Sequence, residues 1–406
     1  MKKSLARLAV LVTAGVAVVG MGAPSAFAAE GATPNGRGSL AMWTTGAKQG
    51  VGAPMETPST VADRYAKGTL VAGPALSIDI ADNSTTDADT ITITGTTDAA
   101  SVWVNVNGST TAASVTGGRY TVTVPAQRGE NKITVAATGA TGGISIARRT
   151  VTSTNFGTLV GSIRDAAGDD NGPGTYVYPT NDAFVDGAFD IDKFDVYEDG
   201  EYVNLVTTIA GDITNPWGGD ELSTQRIDIY IDGNGTDGQP FNAHQGTNAQ
   251  LVQPYSVTVG GSGFAKPSVV DRRENHLGFG ELLVVPKTHQ IAFTVPRVAL
   301  AGIDLGAAGY QVVMTSHAAN DEGVGNIRPV YSKSYWDNAT GTDHAWVQEY
   351  RFGGGAGADT TGTTARDTDT RDPNALDILV PPGQSQQDLL HWEVTSPVIL
   401  PYVALN

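Results

Sequence analysis

The chain has 406 residues, with 25 Lys+Arg against 42 Asp+Glu, 50 Gly and no cysteine. A formal charge of −17 argues against nucleic acid or an anionic membrane as partner, since phosphate surfaces need cations to meet them. The lack of cysteine excludes disulfides, thiolate catalysis and sulfur-ligated zinc, so stability has to come from apolar cores.

Lys2, Lys3 and Arg7 precede an apolar run from Leu8 to Gly20, and Pro24 and Ala26-Phe27-Ala28 follow it. That order is the pattern of a signal peptide over 1–28 with cleavage after Ala28, and the run is shorter than the ~20 residues that span a bilayer. The expectation is a secreted, extracellular chain without membrane insertion. Removing the leader takes away three cations and no acid, which moves the charge to about −20. Residues 29–72 contain Trp43 and Tyr65 but no periodicity that would build an element, and they read as a flexible stub.

Residues 73–154 alternate apolar and polar side chains in short runs, as in Ile91-Thr92-Ile93, Val102-Trp103-Val104, Tyr120-Thr121-Val122 and Ile133-Thr134-Val135. Asp82-Asn83, Asn107-Gly108 and Gly117-Gly118 supply turns between them. About seven short strands in ~80 residues predict an Ig-like β-sandwich. Trp103, inside an alternating strand, is expected to pack half-buried rather than to serve a ligand.

From 157 onward the pattern is again all-β and larger, with strands predicted at 158–164, 189–198, 202–209, 226–231, 255–259, 281–285, 290–295 and 310–316. A short helical turn is expected within 296–305 and a long mobile Gly/Thr/Asp-rich loop over 353–373. The closing segment around Leu389, Trp392 and Tyr402 is apolar enough to dock on the domain.

Two loops carry acids at ligand-like density. Asp165, Asp169, Asp170 and Asn171 fall within seven residues beside glycines. Ca2+ takes six to eight oxygens and such a loop can supply several, although acids capping amides in Asx-turns explain the pattern too. Asp228 and Asp232, followed by Asn234 and Asp237, form a second candidate metal loop. Its spacing is not that of an EF-hand, and a β-turn after a strand accounts for it equally. Candidate sugar-binding residues are Trp217, Tyr176, Tyr178, Trp336 and Trp346, with Gln225 as an amide for hydroxyls; Trp217, between Pro216 and Gly218, is the strongest of them. No nucleophile elbow, His-Glu-x-x-His or phosphate loop occurs, and the six histidines show no metal-ligand spacing. A two-carboxylate glycosidase stays open on composition, though nothing singles out a pair.

The ordered string from Gly168 through Asn171, Pro173, Tyr176 and Tyr178 to Thr180 is followed by Phe184, Phe189, Asn215-Pro216-Trp217, Gln225 and Asp228 to Asp232. This string resembles the C-terminal module of glucodextranase, related to the modules that end several amylopullulanases, over most of 157–405. The 73–154 sandwich resembles the Ig-like domain B that precedes it there. The resemblance implies a jelly-roll-like carbohydrate-binding sandwich that holds a protein at a polysaccharide or cell surface. Residues 43–52 and 56–65 resemble the opening and closing segments of the glucodextranase catalytic region. The barrel and two glutamates that should lie between them have no counterpart here. The resemblance therefore implies a non-catalytic binder of α-glucan (dextran, starch or pullulan) or cell wall, with a separate glycoside hydrolase as candidate partner. The rivals are a glycoside hydrolase by family and a surface-layer protein that binds no sugar.

Overall fold

A computed structural model of the chain describes residues 72–233, 238–318, 324–332, 334–337, 342–345, 349–355, 373–393 and 396–406. The predicted signal peptide and stub up to 71, the 356–372 part of the predicted loop and Trp346 lie outside the described residues.

The first domain is the seven-stranded sandwich the alternation predicts. Thr90–Thr96 pairs with Arg119–Pro125, and five strands form the second sheet in the order Ser84–Thr86, Ile144–Ser153, Gly129–Thr138, Ser101–Val106, Ser109–Ser114. The apolar half of each alternation faces inward, so Ile91, Ile93, Val102, Val104, Val122, Ile133 and Val135 make one core. Trp103 points to the other face of its strand and is half-buried.

The second domain is two antiparallel sheets face to face. One runs Glu281–Val285, Gln290–Pro296, Tyr202–Ile209, Ile191–Asp199, Thr158–Arg164. The other runs His276–Phe279, Ala265–Asp271, Val257–Ser262, Gln225–Asp232, Gly309–Ser316, Asp377–Ile378, with Val403–Ala404 also pairing to Gly309–Ser316. Phe194, Phe293, Val196 and Leu205 from the first sheet meet Ile227, Ile229, Val259 and Val312 from the second in a single core. The sheets approach so closely that a Cβ on Gly261 would sit 2.8 Å from Phe293 Cζ.

The outer face of the second sheet is covered too. Tyr230, Tyr255, Val313 and Ile378 pack with Leu390, Val398 and Leu400 of the closing segment, with Trp392 and Tyr402 at its margin. That second layer is why all eight residues of Gln225–Asp232 are buried, polar ones included. A short 3-10 turn, Arg297–Leu300, falls within the segment expected to be helical. Residues 353–355, expected in a mobile loop, instead belong to the strand Phe352–Gly355, parallel to Val330–Ser332. Their glycines are buried against the domain, and Gly354 lies so close to Thr175 O that a side chain would not fit.

The two domains are tied by Arg128. Its guanidinium donates to Asn155 O at 3.1 Å, Asn204 Oδ1 at 2.9 Å, Thr294 Oγ1 at 3.2 Å and Asp199 Oδ2 at 2.6 Å, and it lies 5.7 Å from the centre of the Phe156 ring.

Candidate functional site

One end of the second domain gathers aromatic rings around a buried cation. Arg328 donates to Tyr350 O at 2.8 Å and His317 O at 3.3 Å, and its guanidinium lies 5.5 Å from the Phe184 ring and 5.8 Å from Trp217. Trp217 packs edge-on against Phe184 (centroids 5.6 Å, interplanar angle 64°) and 6.5 Å from Tyr350. Phe264 stacks on His317 at 4.9 Å and 25°. Tyr350 is 42% exposed and Phe264 47%, while Trp217 is half-buried. Asn181 donates to Tyr350 Oη at 3.2 Å and to Glu349 Oε1 at 3.1 Å, adding amide and carboxylate chemistry beside the rings.

Local chain geometry explains why these rings reach the surface. Gly263-Phe264 is the two-residue loop of the hairpin between Val257–Ser262 and Ala265–Asp271, in which Ser262 pairs with Ala265. A side chain at 263 would collide with Leu222 O, so glycine holds the first position and Phe264 projects at the second. The turn carrying Trp217 closes through Asn215 Nδ2 donating to Gly219 O at 2.7 Å and through Trp217 N donating to Ser223 Oγ at 3.3 Å.

The other sugar-binding candidates lie elsewhere. Tyr176 is buried and its hydroxyl donates to Pro373 O at 2.5 Å, so it is a core ring and not a platform. Tyr178 packs edge-on to Phe189 and Phe352, and its hydroxyl donates to Asp170. Gln225 is fully buried, its amide donating to Ala188 O at 3.0 Å and accepting from Thr224 Oγ1 at 2.8 Å, which removes it from any surface contact. Trp336 lies in Ser334–Asp337, in register with Asp343 of Thr342–Ala345.

The acidic loop converges with residues far away in sequence. Asp165, Asp169 and Asp377 each place a carboxylate oxygen within 4.8 Å of the others. Asp190 lies beside this triple, near enough to Asp165 and Asp169 for their charges to act on one another, and its Oδ2 accepts from Gly168 N at 2.7 Å. Asp165 Oδ1 accepts from Val380 N at 3.1 Å, and Asp377 accepts from Ile191 N and Ile378 N. Asp165 Oδ2, Asp169 Oδ1 and Asp190 Oδ1 are buried without a hydrogen-bond partner. Among the described residues, none of these acids has an ion-pair partner.

Electrostatics records the same crowding. Burial, with Asp169 and Asp190 close by, pushes Asp165 up to about 7. Burial and the neighbouring Asp170 and Asp169 raise Asp190 to about 6. Asp169 is raised by burial and by Asp170, and Asp377 is raised well above the usual carboxylate range by burial, with Asp165 adding to it. The turn that presents Asp165 and Asp169 is fastened by Gly172, at φ +60, over whose Cα lies the Tyr176 ring.

Asp170 stands outside this group, held by the Tyr178 hydroxyl. Asp228 is also apart, bound bidentately by Arg226 at 3.0 and 2.9 Å within the buried strand, and Asp232 accepts from Gln253 Nε2. Sequence reasoning missed Asp190 and Asp377 of the acidic group, and Phe264 and Tyr350 of the aromatic one. A signal existed for Asp377, an acid inside the apolar run Ala375-Leu376-Asp377-Ile378-Leu379-Val380, where a buried charge needs a reason.

An Ig-like domain leads into a larger double-layered β-sandwich, and the family comparison says which proteins share this pair. The profile described as "C-terminal binding-module, SLH-like, of glucodextranase" matches residues 160–398, more than half of the chain, and "Glucodextranase, domain B" matches 74–156. The chain belongs to the family of glucodextranase C-terminal binding modules, and the matched segments include no catalytic domain.

The search of curated proteins returns no match. Among solved structures, the chain is similar to Clostridium thermocellum CbhA fibronectin(III)-like modules (15% identity, 20% of this chain and 98% of that one, TM-score 0.18). It is also similar to Parabacteroides merdae β-glucuronidase (11%, 61% and 23%, TM-score 0.19) and to a 1.5-MDa bacterial ice-binding adhesin (16%, 61% and 60%, TM-score 0.17). The chain spans about a quarter of the glucuronidase's length.

Proposed function

We propose that this protein is a secreted, non-catalytic attachment protein that binds α-glucan or cell-wall polysaccharide through the surface built by Trp217, Tyr350 and Phe264. The observation that carries the reading is the family match, which covers the binding module and the domain before it. The SLH-like description of that module favours a cell-surface location. The rings supply the chemistry: flat apolar faces cover the C–H faces of pyranose rings, and amides and carboxylates such as Asn181 and Glu349 take hydroxyls. A separate glycoside hydrolase would supply any cleavage of the bound polymer.

The test is co-sedimentation with insoluble starch, cross-linked dextran and bacterial cell walls. The wild type should sediment with at least one of them. Trp217→Ala and Tyr350→Ala should each weaken binding at least about tenfold, the loss of ~1.4 kcal/mol. Trp103→Ala, in the first domain, should leave it unchanged. Failure to bind any of the three polymers refutes attachment, and unaltered binding by both variants refutes the site. Release of reducing sugar, abolished by a single Asp or Glu substitution, would overturn the non-catalytic part.

A further inference from the structure

We propose that Asp165, Asp169, Asp190 and Asp377 hold one calcium ion that fastens the 165–176 turn to the two sheets of the second domain. The four residues come from three distant stretches of chain, and three of them meet within 4.8 Å. Convergence of acids alone could be incidental. Two further observations point to a ligand. Asp190 is 4% exposed and leaves one carboxylate oxygen, Oδ1, buried and without a partner; its charge acts on Asp165 and that of Asp169 acts on it, and each of those two also leaves a buried oxygen unpartnered. Asp377 is wholly buried, and the groups it meets are backbone amides and other carboxylates rather than a side-chain cation.

Burying charge without a counter-charge is strongly unfavourable, and packing like charges together adds to the cost. Protonation relieves part of that cost, whereas a shared cation relieves it while the carboxylates keep their charge. The donor set is entirely carboxylate oxygen, with no His or Cys in the group, which selects a hard cation over zinc or copper. The donors sit on an irregular turn and a short strand, a setting that suits the adaptable coordination of calcium better than the strict octahedron magnesium demands. Water fills the remaining positions.

The consequence is mechanical. Asp165 and Asp169 belong to the turn, Asp190 to the entry of Ile191–Asp199 in the first sheet, and Asp377 to a strand of the second. The same turn continues into Tyr176 and Tyr178, and Tyr178 packs on Phe189 and Phe352, which carry Phe184 beneath Trp217. The ion therefore braces the layer under the aromatic surface. The proposal does not depend on what that surface binds.

The experiment uses the full secreted chain, stripped with EGTA and desalted, titrated with calcium chloride by calorimetry and followed by thermal melts. One calcium per chain is expected, and 1 mM calcium should raise Tm by about 5 °C or more, since a ligand of the folded state alone stabilises it. Asp165→Asn and Asp190→Asn keep one oxygen for their backbone amide and remove a charge. Each should weaken calcium binding at least tenfold, yet melt no lower than the wild type when both are in EGTA, because a like-charge repulsion is gone. The absence of heat and of a Tm shift up to 5 mM calcium overturns the proposal. So does calcium binding that both variants retain, or equal stabilisation by magnesium at the same concentration.

Discussion

Arg128→Ala tests how the two domains are joined. The guanidinium makes four hydrogen bonds, one to Asn155 between the domains and three to the second domain. They are not equivalent. Asp199 is 52% exposed on its side chain, so that ion pair contributes no more than about 1 kcal/mol. Asn204 is fully buried, and bonds from a charged donor to such groups contribute about 1.5–3 kcal/mol each. Loss of the guanidinium leaves Asn204 Oδ1 still accepting from Thr294 Oγ1 at 2.6 Å, so it is not orphaned, which lowers the cost. The net expectation is a loss of about 2–4 kcal/mol in the coupling between domains. Urea denaturation followed by tryptophan fluorescence reads it, because Trp103 reports on the first domain and Trp217 and Trp392 on the second. Arg128→Ala should move the first transition to lower urea and separate the domains' unfolding. Asp199→Ala should cost no more than about 1 kcal/mol, and Arg128→Lys should recover only a minor part, since an ammonium cannot replace the fork. A loss below about 0.5 kcal/mol for Arg128→Ala, or full recovery by lysine, would refute the reasoning.

Asp228→Ala leaves Arg226 charged and unpaired inside a buried strand and should cost about 3–5 kcal/mol by chemical denaturation, while the double change Arg226→Met, Asp228→Leu should recover most of it. Gly172→Ala places a methyl against the Tyr176 ring at a left-handed φ, so a loss of about 2–4 kcal/mol is expected, together with weaker calcium binding by calorimetry. Burial, helped by Arg226 and Arg328, lowers His317 to about 4, below its ordinary value of 6.5. The unfolded chain therefore takes up the proton first, and stability present above pH 6.5 is lost as pH falls toward 4, by up to about 3 kcal/mol. Melts at pH 7 and 4.5 in saturating calcium should differ less for His317→Gln than for the wild type; an equal difference would contradict the assignment. Arg328→Leu should disperse the rings around Trp217 and lower polysaccharide binding at least about tenfold in the sedimentation assay.

Alternation made most of the fold legible, because a sandwich strand with one buried face writes its burial into every second residue. The strands it failed to show lack that signature for physical reasons. Ser109–Ser114, Ser-Thr-Thr-Ala-Ala-Ser, is an edge strand exposed along nearly its whole length and has no apolar face to display. Ala265–Asp271 contains Pro267, which reads as a strand breaker, yet it sits in the sheet with its carbonyl accepting from Gly280 N. Gln225–Asp232 was visible as a strand, but not that both its faces are buried, since the closing segment that covers it comes more than 150 residues later.

The sites divide along the same line. The sequence shows which residues are dense in one loop, whereas a binding site is set by which loops meet. Asp165 and Asp169 were visible because they are neighbours, while Asp377 enters through the pairing of its short strand with Gly309–Ser316. Asp170, one residue from Asp169, looked equivalent and is not, because the chain turns its carboxylate toward Tyr178. The ring surface obeys the same logic: Trp217 announced itself between Pro216 and Gly218, but Phe264 and Tyr350 become its neighbours only through Arg328 and His317. Arg328 was not a candidate of any kind, and it is the residue whose donors and cation hold the cluster together. A charge that organises rings from beneath leaves no mark in composition or spacing. Its position is defined by packing, so removing it should disturb binding through ring geometry with no polar contact to the sugar lost.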